Sequence, residues 1–198
     1  MSAPESAAVL LGQRVRDSLA TTTALLDGDT LAATGAILDA VTAAVQAGGT
    51  VFFFGNGGSS ADAQHLAAEL LGRFYRDRSA LPSVSLADNV AAVTAIANDY
   101  AYEDIFSRQL RGLGKAGDVA IGLTTSGNSM NVIRAFEVAN ELGLLTVAFT
   151  GADGGKAAEV ATLCFKAPST DTPRIQEAHQ LVGHTLCEVV EARVFDGS

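Results

Sequence analysis

Two turns rich in glycine and hydroxyl residues each follow an apolar segment and precede a helical pattern. The first turn reads GNGGSS at residues 55–60, and the second reads TTSGNS at residues 124–129. Glycines let the backbone turn tightly and approach a ligand, while the first N–H groups of a helix attract anions. The four hydroxyls of the second turn could hold a phosphate without any lysine or arginine. Plain helix caps are the alternative interpretation of both turns.

Neither turn matches a common nucleotide or hydrolase motif. The first lacks the Gly-Lys-Ser/Thr of a Walker A loop, and Ser60 stands where a dinucleotide fingerprint needs its third glycine. Asp88 is poorly spaced for a ribose ligand. Neither turn contains Gly-x-Ser-x-Gly, the serine-hydrolase elbow. The hypothesis of a nicotinamide-dependent oxidoreductase therefore depends on an incomplete glycine motif alone.

Four potential zinc ligands fall on two predicted helices. His65 and Glu69 are four residues apart, which places them on one helix face. Gln176 and His184 are eight residues apart, about 80° around the last helix, and His179 points away from His184. Imidazoles and a carboxylate are suitable zinc ligands, although buried core histidines are the alternative. A single site requires that the fold bring both faces together beyond the strand ends.

Two further polar segments have an interpretation from sequence. Asn98 and Asp99 lie between a helical pattern and an aromatic segment, so they could end one helix and cap the next, or face a ligand. The charged residues 76–78, Arg-Asp-Arg, are typical of a solvent-exposed turn.

The elements that must position these residues alternate between short apolar runs and helical patterns. The runs are continuous rather than alternating, as expected of strands covered on both faces. This pattern predicts an α/β fold with a doubly wound, five-stranded parallel sheet flanked by helices. The predicted strands are 51–54, 83–86, 119–123, 145–149 and 163–165, and the helices between and after them are 60–74, 90–97, 102–113, 131–142, 156–161 and 174–195.

Two helical patterns, 6–26 and 30–47, precede the first strand, and Asp29 or Thr30 could cap the second. We predict an N-terminal helical extension over residues 1–48, used for packing or oligomerisation, and a main domain over 49–198. In open α/β sheets, ligands bind beyond the carboxyl ends of the strands, where both polar turns fall.

Length, charge and cysteine content argue against several classes of function. The chain has 198 residues, enough for one domain with an extension, and a formal net charge of −9. This charge argues against binding to nucleic acid or to an anionic membrane surface. No apolar run approaches the roughly 20 residues that span a bilayer, and no secretory signal is recognisable. Cys164 and Cys187 lie far apart in apolar contexts, so we expect free thiols and a cytoplasmic protein.

Five segments, taken in order, resemble the sugar isomerase (SIS) domain and, within it, the bacterial phosphoheptose isomerases. They are FFFGNGGSSADAQHLAAEL, AIANDYAYEDIFSRQL, GDVAIGLTTSGNSMNVIRA, FTGADGGKAAEVA and PRIQEAHQLVGH. The resemblance covers nearly the whole chain, most strongly 51–195. It implies a homotetramer with active sites at subunit contacts and one zinc ion per subunit. It also implies aldose–ketose isomerisation of sedoheptulose 7-phosphate to D-glycero-D-manno-heptose 7-phosphate through an enediol.

The resemblance also implies roles for individual residues. Those matching the sugar-phosphate contacts are Asn56, Gly57, Gly58, Ser59, Glu69, Asn98, Asp99, Thr124, Thr125, Ser126, Ser129 and Gln176. Those matching the zinc ligands are His65, Glu69, Gln176 and His184, and Glu69 with His184 match the proton-transfer pair. The sequence departs from some relatives in having Thr124 in place of serine and Pro173 in place of aspartate.

A non-catalytic SIS module is the alternative from a different functional class. A related bacterial protein that associates with the replication initiator keeps the fold but serves as an adaptor. It lacks equivalents of Glu69 and His184 and disturbs the phosphate loop, whereas this chain has both residues and an intact Ser126-Gly127. The acid–base pair therefore favours an isomerase.

Overall fold

The computed structural model describes residues 6–195. Residues 1–5 of the predicted extension and residues 196–198 of the predicted main domain lie outside the described part. A short 3₁₀ turn, Tyr102–Asp104, separates α4 from α5. The helices are α1 Ala7–Ala24, α2 Gly28–Gln46, α3 Gly58–Leu71, α4 Val90–Asp99, α5 Ser107–Leu113, α6 Met130–Leu142, α7 Gly155–Val160 and α8 Thr172–Phe195. The strands are β1 Val51–Gly55, β2 Ser83–Ser85, β3 Val119–Leu123, β4 Leu145–Thr150 and β5 Leu163–Lys166.

The five strands form one parallel sheet in the order β2-β1-β3-β4-β5. The strand order reverses between β1 and β3, where Gly55 lies beside Leu123 in register. Crevices at such a reversal are the usual ligand sites of open α/β sheets. The predicted fold class, a doubly wound five-stranded parallel sheet flanked by helices, is confirmed.

Both faces of the sheet are covered, because alternate residues of each strand enter different cores. Val51 and Phe53 point into a core formed with α2, α3 and α8. Phe52 and Phe54 point to the opposite side, into a core formed with α4, α5 and α6. The resulting three layers explain why the strands are apolar throughout rather than alternating.

The two N-terminal helices pack differently. Helix α2 buries Ile37, Leu38 and Val41 in the core beneath the sheet. Helix α1 buries only Thr21 among its residues and leaves a row of large apolar side chains exposed. That row consists of Leu11, Val15 and Leu19, which are spaced four residues apart, while Val9 and Leu10 are exposed on other faces of the helix. The boundary predicted at residue 48 stays a prediction.

Some predicted helix ends differ from the structure. Asp27, rather than Asp29 or Thr30, caps α2 by accepting a hydrogen bond from the Thr30 N–H, because the chain already turns into the helix at Gly28. The single helix predicted for 102–113 is broken at Ile105 and Phe106, whose side chains are buried in the second core.

The described residues bear on two further predictions. Cys187 is buried and Cys164 half-buried, and both are free thiols, as expected. Burial raises the pKa of the Cys187 thiol to about 12, so it is an inert core residue. Within residues 6–195, every helix is too short or too polar to cross a membrane.

Candidate active site

The glycine turn leads directly from β1 into α3. Gly57 adopts a φ of +57°, a conformation that side chains disfavour, and it stands at the N-cap of α3 with no side chain to cap the helix. Ser60 lies inside the helix rather than at its cap, and Ser59 is buried beneath the turn. The first N–H groups of α3 are therefore left for a ligand.

The hydroxyl-rich turn after β3 is held open by its own hydrogen bonds. The buried Thr124 hydroxyl donates to Ser129, and Ser126 Oγ accepts from the Asn128 N–H. Ser129 makes no side-chain capping bond to α6, whereas the side chains at the N-caps of α1, α2 and α4 do cap their helices. Thr125 and Ser126 also border a cavity of about 210 Å³. Uncapped amides beside several hydroxyls can bind a phosphate.

Asn98 and Asp99 lie together on the last turn of α4. The Asn98 amide donates to the Asp99 carboxylate over 2.8 Å, and both residues are exposed. The helix ends at Asp99, and Tyr100 follows as its C-cap. These two side chains are therefore available to a ligand.

Helices α3 and α8 bring two imidazoles and a carboxylate together. His65 Nε2 lies 2.9 Å from His184 Nε2 and 3.3 Å from Glu69 Oε1. One ligand atom from each of the three residues lies within 4.8 Å of the others. The ligands of one zinc ion lie about 2.0–2.2 Å from it, which separates them by roughly 3–3.5 Å. The three donors therefore fit a zinc ion.

Close parallel packing of α3 and α8 creates this cluster. Leu66 lies against Gly183, where any Cβ would come within 2.6 Å of the leucine side chain. A larger residue at position 183 would push the helices apart, and with them the adjacent His65 and His184. The sequence predicts this cluster beyond the strand ends. In the structure it lies instead part-way down α3. His65 is seven residues into α3, roughly 10 Å down the helix from Gly58.

Gln176 lies apart from these three residues. Its side-chain amide packs against Gly58, where an added Cβ would come within 2.6 Å of the Gln176 Nε2 atom. Eight residues separate Gln176 from His184, a rise of roughly 12 Å along α8. The structure thus places Gln176 beside the glycine turn and brings the other three predicted zinc ligands together.

A family model described as the SIS domain matches residues 17–151. The chain is 52% identical to the phosphoheptose isomerase of Rhodospirillum rubrum over 164 residues, which cover 83% of this chain and 87% of that protein. This chain belongs to the phosphoheptose isomerase family of SIS-domain proteins.

Solved structures of the family share the fold. A phosphoheptose isomerase from Francisella tularensis superposes with a TM-score of 0.90 at 30% identity, covering 94% of this chain and 99% of the other. The phosphoheptose isomerase from Neisseria gonorrhoeae gives a TM-score of 0.82 at 37% identity, with coverages of 93% and 96%.

Sequence reasoning missed a polar network around Asn56. Asn56 and Asn131 exchange two side-chain hydrogen bonds, and the Tyr102 hydroxyl donates to Asn56 Oδ1 over 2.8 Å. These bonds occupy the Asn56 oxygen and leave one of its N–H groups for a ligand. In the sequence, the one indication of this network is that Asn131 closely follows the hydroxyl-rich turn, at the start of α6.

The charged segment after α3 is exposed at Arg76 and Asp77, as predicted, but not at Arg78. Arg78 was expected in a solvent-exposed turn, but its side chain is only 2% exposed. It forms an ion pair with Glu191 on α8, 113 residues away in the chain. The partner supplied by a distant helix is the physical reason why an arginine can be buried here.

Proposed function

We propose that this chain is an aldose–ketose isomerase that converts sedoheptulose 7-phosphate to D-glycero-D-manno-heptose 7-phosphate. The observation that carries the proposal is the convergence of His65, Glu69 and His184 in a chain of the phosphoheptose isomerase family. A carboxylate and an imidazole together can accept and return a proton.

The reaction moves one proton between neighbouring carbons and needs no external oxidant. A base removes a proton from C1 of the ketose, and the C2 oxygen gains a proton as the enediol forms. Loss of the O1 proton and protonation of C2 then give the aldose. Glu69 and His184 are the proposed base and acid, because they lie in the same cluster and belong to different helices.

We infer one zinc ion per subunit, held by His65, Glu69 and His184. When bound, zinc would act as a Lewis acid toward the substrate oxygens. The imidazole nitrogens must offer their lone pairs to the ion, so both rings must be neutral when it binds. Gln176 is proposed to bind the substrate beside Gly58, and the fourth-ligand role implied by the resemblance stays a prediction.

The sugar phosphate is proposed to span two regions of the site. Its phosphate would bind the hydroxyls of Thr124, Thr125, Ser126 and Ser129 at the start of α6. Its sugar would meet Asn56, Gly57, Gly58 and the backbone N–H of Ser59 on one side, and Asn98 and Asp99 on the other. These contacts match the uncapped helix ends and exposed polar groups described above. Binding the remote phosphate positions the reacting carbons.

We further propose that the chain works as a homotetramer with sites at subunit contacts. Besides the exposed apolar row on α1, the exposed Leu26, Leu31 and Leu181 line one groove between the N-terminal helices and α8. Such an exposed apolar surface is typical of a protein–protein contact. The separation of roughly 10 Å between Gly58 and His65 along α3 also suits a site completed by a neighbouring subunit.

A cytoplasmic location is proposed from the thiols. Cys164 and Cys187 are free, and the described structure gives neither a partner for a disulfide. Free thiols persist in the reducing environment of the cytoplasm.

Incubation of the purified protein with sedoheptulose 7-phosphate, followed by NMR, tests the proposed function. We expect signals of the aldose product, and in heavy water we expect deuterium at C2. The Glu69→Gln variant is the control, since its side chain has nearly the same shape but cannot act as a base. Absence of turnover by zinc-loaded wild type would leave the adaptor function instead.

A further inference from the structure

Arg78 and Glu191 form a buried ion pair at the far end of the α3–α8 contact. Arg78 Nε donates to Glu191 Oε2 over 2.9 Å, and each side chain is only 2% exposed. Removing two charges from water is costly unless other hydrogen bonds satisfy them. Both residues therefore need further partners, and those partners connect the pair to the candidate active site.

The Arg78 guanidinium caps the C-terminal end of α3. Its Nη2 donates to the backbone oxygen of Glu69 over 3.0 Å, and its Nη1 donates to that of Leu70 over 2.8 Å. Nη1 also reaches the backbone oxygens of Gly72 and Ser79. The last carbonyl groups of a helix have no partner within the helix, so this cap holds the turn that carries Glu69.

The Glu191 carboxylate holds the chain that follows α3. It accepts from the backbone N–H groups of Phe74, Tyr75 and Arg76 at 2.7–2.8 Å. The Phe74 ring packs on the His184 imidazole, with the ring centroids 5.8 Å apart. Burial raises the pKa of Glu191, but these three N–H groups and Arg78 outweigh it, so the net pKa lies below its ordinary value.

We propose that Arg78 and Glu191 are a positioning pair that sets the placement of Glu69 and His184 for proton transfer. Arg78 acts on Glu69 through its backbone oxygen, and Glu191 acts on His184 through Phe74. This inference rests on the proposed isomerase function. Arg78 and Glu191 lie outside the cluster of His65, Glu69 and His184, so the positions of the proposed zinc ligands alone do not indicate this role.

The pair should affect the chemical step more than substrate binding. A displacement of about 1 Å in a reacting group can lower a rate about 100-fold. The proposed phosphate contacts lie at the start of α6, on the other side of the sheet strands, and have no bond to Arg78 among those described. Loosening the pair should therefore lower kcat and leave KM for the sugar phosphate nearly unchanged.

Arg78→Lys is the main test variant. Lysine keeps the positive charge, but its single nitrogen cannot reach Glu191 and the Glu69 and Leu70 oxygens together. We expect kcat to fall about 10- to 100-fold, with KM changed less than about threefold. Zinc affinity, measured by competition with a chelating dye, should fall about tenfold, since outer partners of metal ligands affect affinity.

Glu191→Gln is the second variant, in case Arg78→Lys does not fold. Glutamine keeps an oxygen acceptor for the backbone N–H groups but loses the charge that holds Arg78. We expect the same split between kcat and KM. Folding of each variant is checked by circular dichroism and by its melting temperature.

Two controls separate positioning from stability. Arg111→Lys makes the same change in an exposed ion pair with Glu141 and should leave all parameters unchanged. Leu144→Ala removes a buried side chain just before β4, in the core on the face of the sheet opposite α3 and α8, and should lower stability alone. Kinetics are compared at temperatures equally far below each melting point.

The outcomes are distinct. A selective loss of kcat and zinc affinity in folded Arg78→Lys or Glu191→Gln, absent from Leu144→Ala, supports the positioning pair. Normal kcat and zinc affinity in both folded variants overturn it, as does the same loss in Leu144→Ala. If wild type neither isomerises the substrate nor binds zinc, the proposed function itself fails and the inference fails with it.

Discussion

The Nε2 atoms of His65 and His184 lie 2.9 Å apart, although the two residues are 119 positions apart in the chain. Helices α3 and α8 therefore bring the two imidazole nitrogens to about the separation of two ligands on one metal ion, and Glu69 adds a carboxylate to the same group.

The first prediction is that His65→Ala abolishes tight zinc binding and strongly reduces turnover. The variant removes one of three ligands but leaves Glu69 and His184 in place. Glu69→Gln should reduce turnover further, because it removes both a ligand charge and a proton-transfer group. Zinc content is measured by atomic emission, and isomerase activity is followed by NMR.

A chelator experiment on wild type completes this test. Removal of zinc should abolish activity, and added zinc should restore it. Undiminished activity of the zinc-free protein would disprove the metal role but leave acid–base catalysis possible. Full activity of Glu69→Gln would disprove both.

The second prediction concerns Ser126 in the hydroxyl-rich turn. Ser126→Ala should weaken binding of a sugar phosphate roughly 10- to 100-fold, because a hydrogen bond to a charged oxygen contributes about 1.5–3 kcal/mol. The corresponding unphosphorylated sugar is the control ligand and should bind equally to both proteins. Calorimetric titration measures both ligands. Equal losses for the two sugars would show that the turn does not bind phosphate.

The fold could be predicted from local patterns. The continuous apolar run 51–54 is typical of a strand buried on both faces, and the glycine and hydroxyl turns mark where two such strands end. The order of the strands in the sheet was not predicted, because it depends on tertiary packing that local patterns do not show. Helix ends were less certain, because Asp27, Asp29 and Thr30 are all good caps and only the tertiary path of the chain selects Asp27.

The candidate site could be predicted only where one helix fixes the geometry. The spacing of His65 and Glu69 places them on one face without any tertiary information. The location of their cluster, two turns into α3, depends on how closely Gly183 lets α8 approach Leu66. The burial of Arg78 depends on Glu191, and no local pattern in the charged segment indicates a partner so distant in the chain.

The third prediction concerns the exposed apolar row on α1. Leu19 is 60% exposed and belongs to neither described core, so Leu19→Glu should disrupt a subunit contact without unfolding the subunit. We expect light scattering to show a lower mass than for wild type. Ala20→Glu is the matched control, because it adds the same charge at the next exposed position, outside the apolar row. Equal masses for all three proteins would exclude this face from the assembly.

The fourth prediction concerns His179, which is fully buried against Phe149 and Phe165. Its Nε2 lies 3.0 Å from the Thr150 backbone oxygen, so Nε2 carries the proton of the neutral ring. The Nδ1 atom has no hydrogen-bond partner in the described part of the chain. Protonation would therefore bury a charge with an unsatisfied N–H group. Burial lowers the pKa of His179 from 6.5 to about 4.

The sign of the resulting pH dependence follows from this pKa. Between pH 6.5 and 4 the unfolded chain binds a proton at His179 that the folded chain excludes, so acidification favours unfolding. The free energy of unfolding should fall by about 2–3 kcal/mol from this residue as the pH is lowered from 7 to 4.5. His179→Gln, which keeps an N–H donor for Thr150, should be less stable at pH 7 but should lose that part of the slope. Urea unfolding at several pH values measures the difference, and identical slopes for the two proteins would show that His179 does not titrate on unfolding.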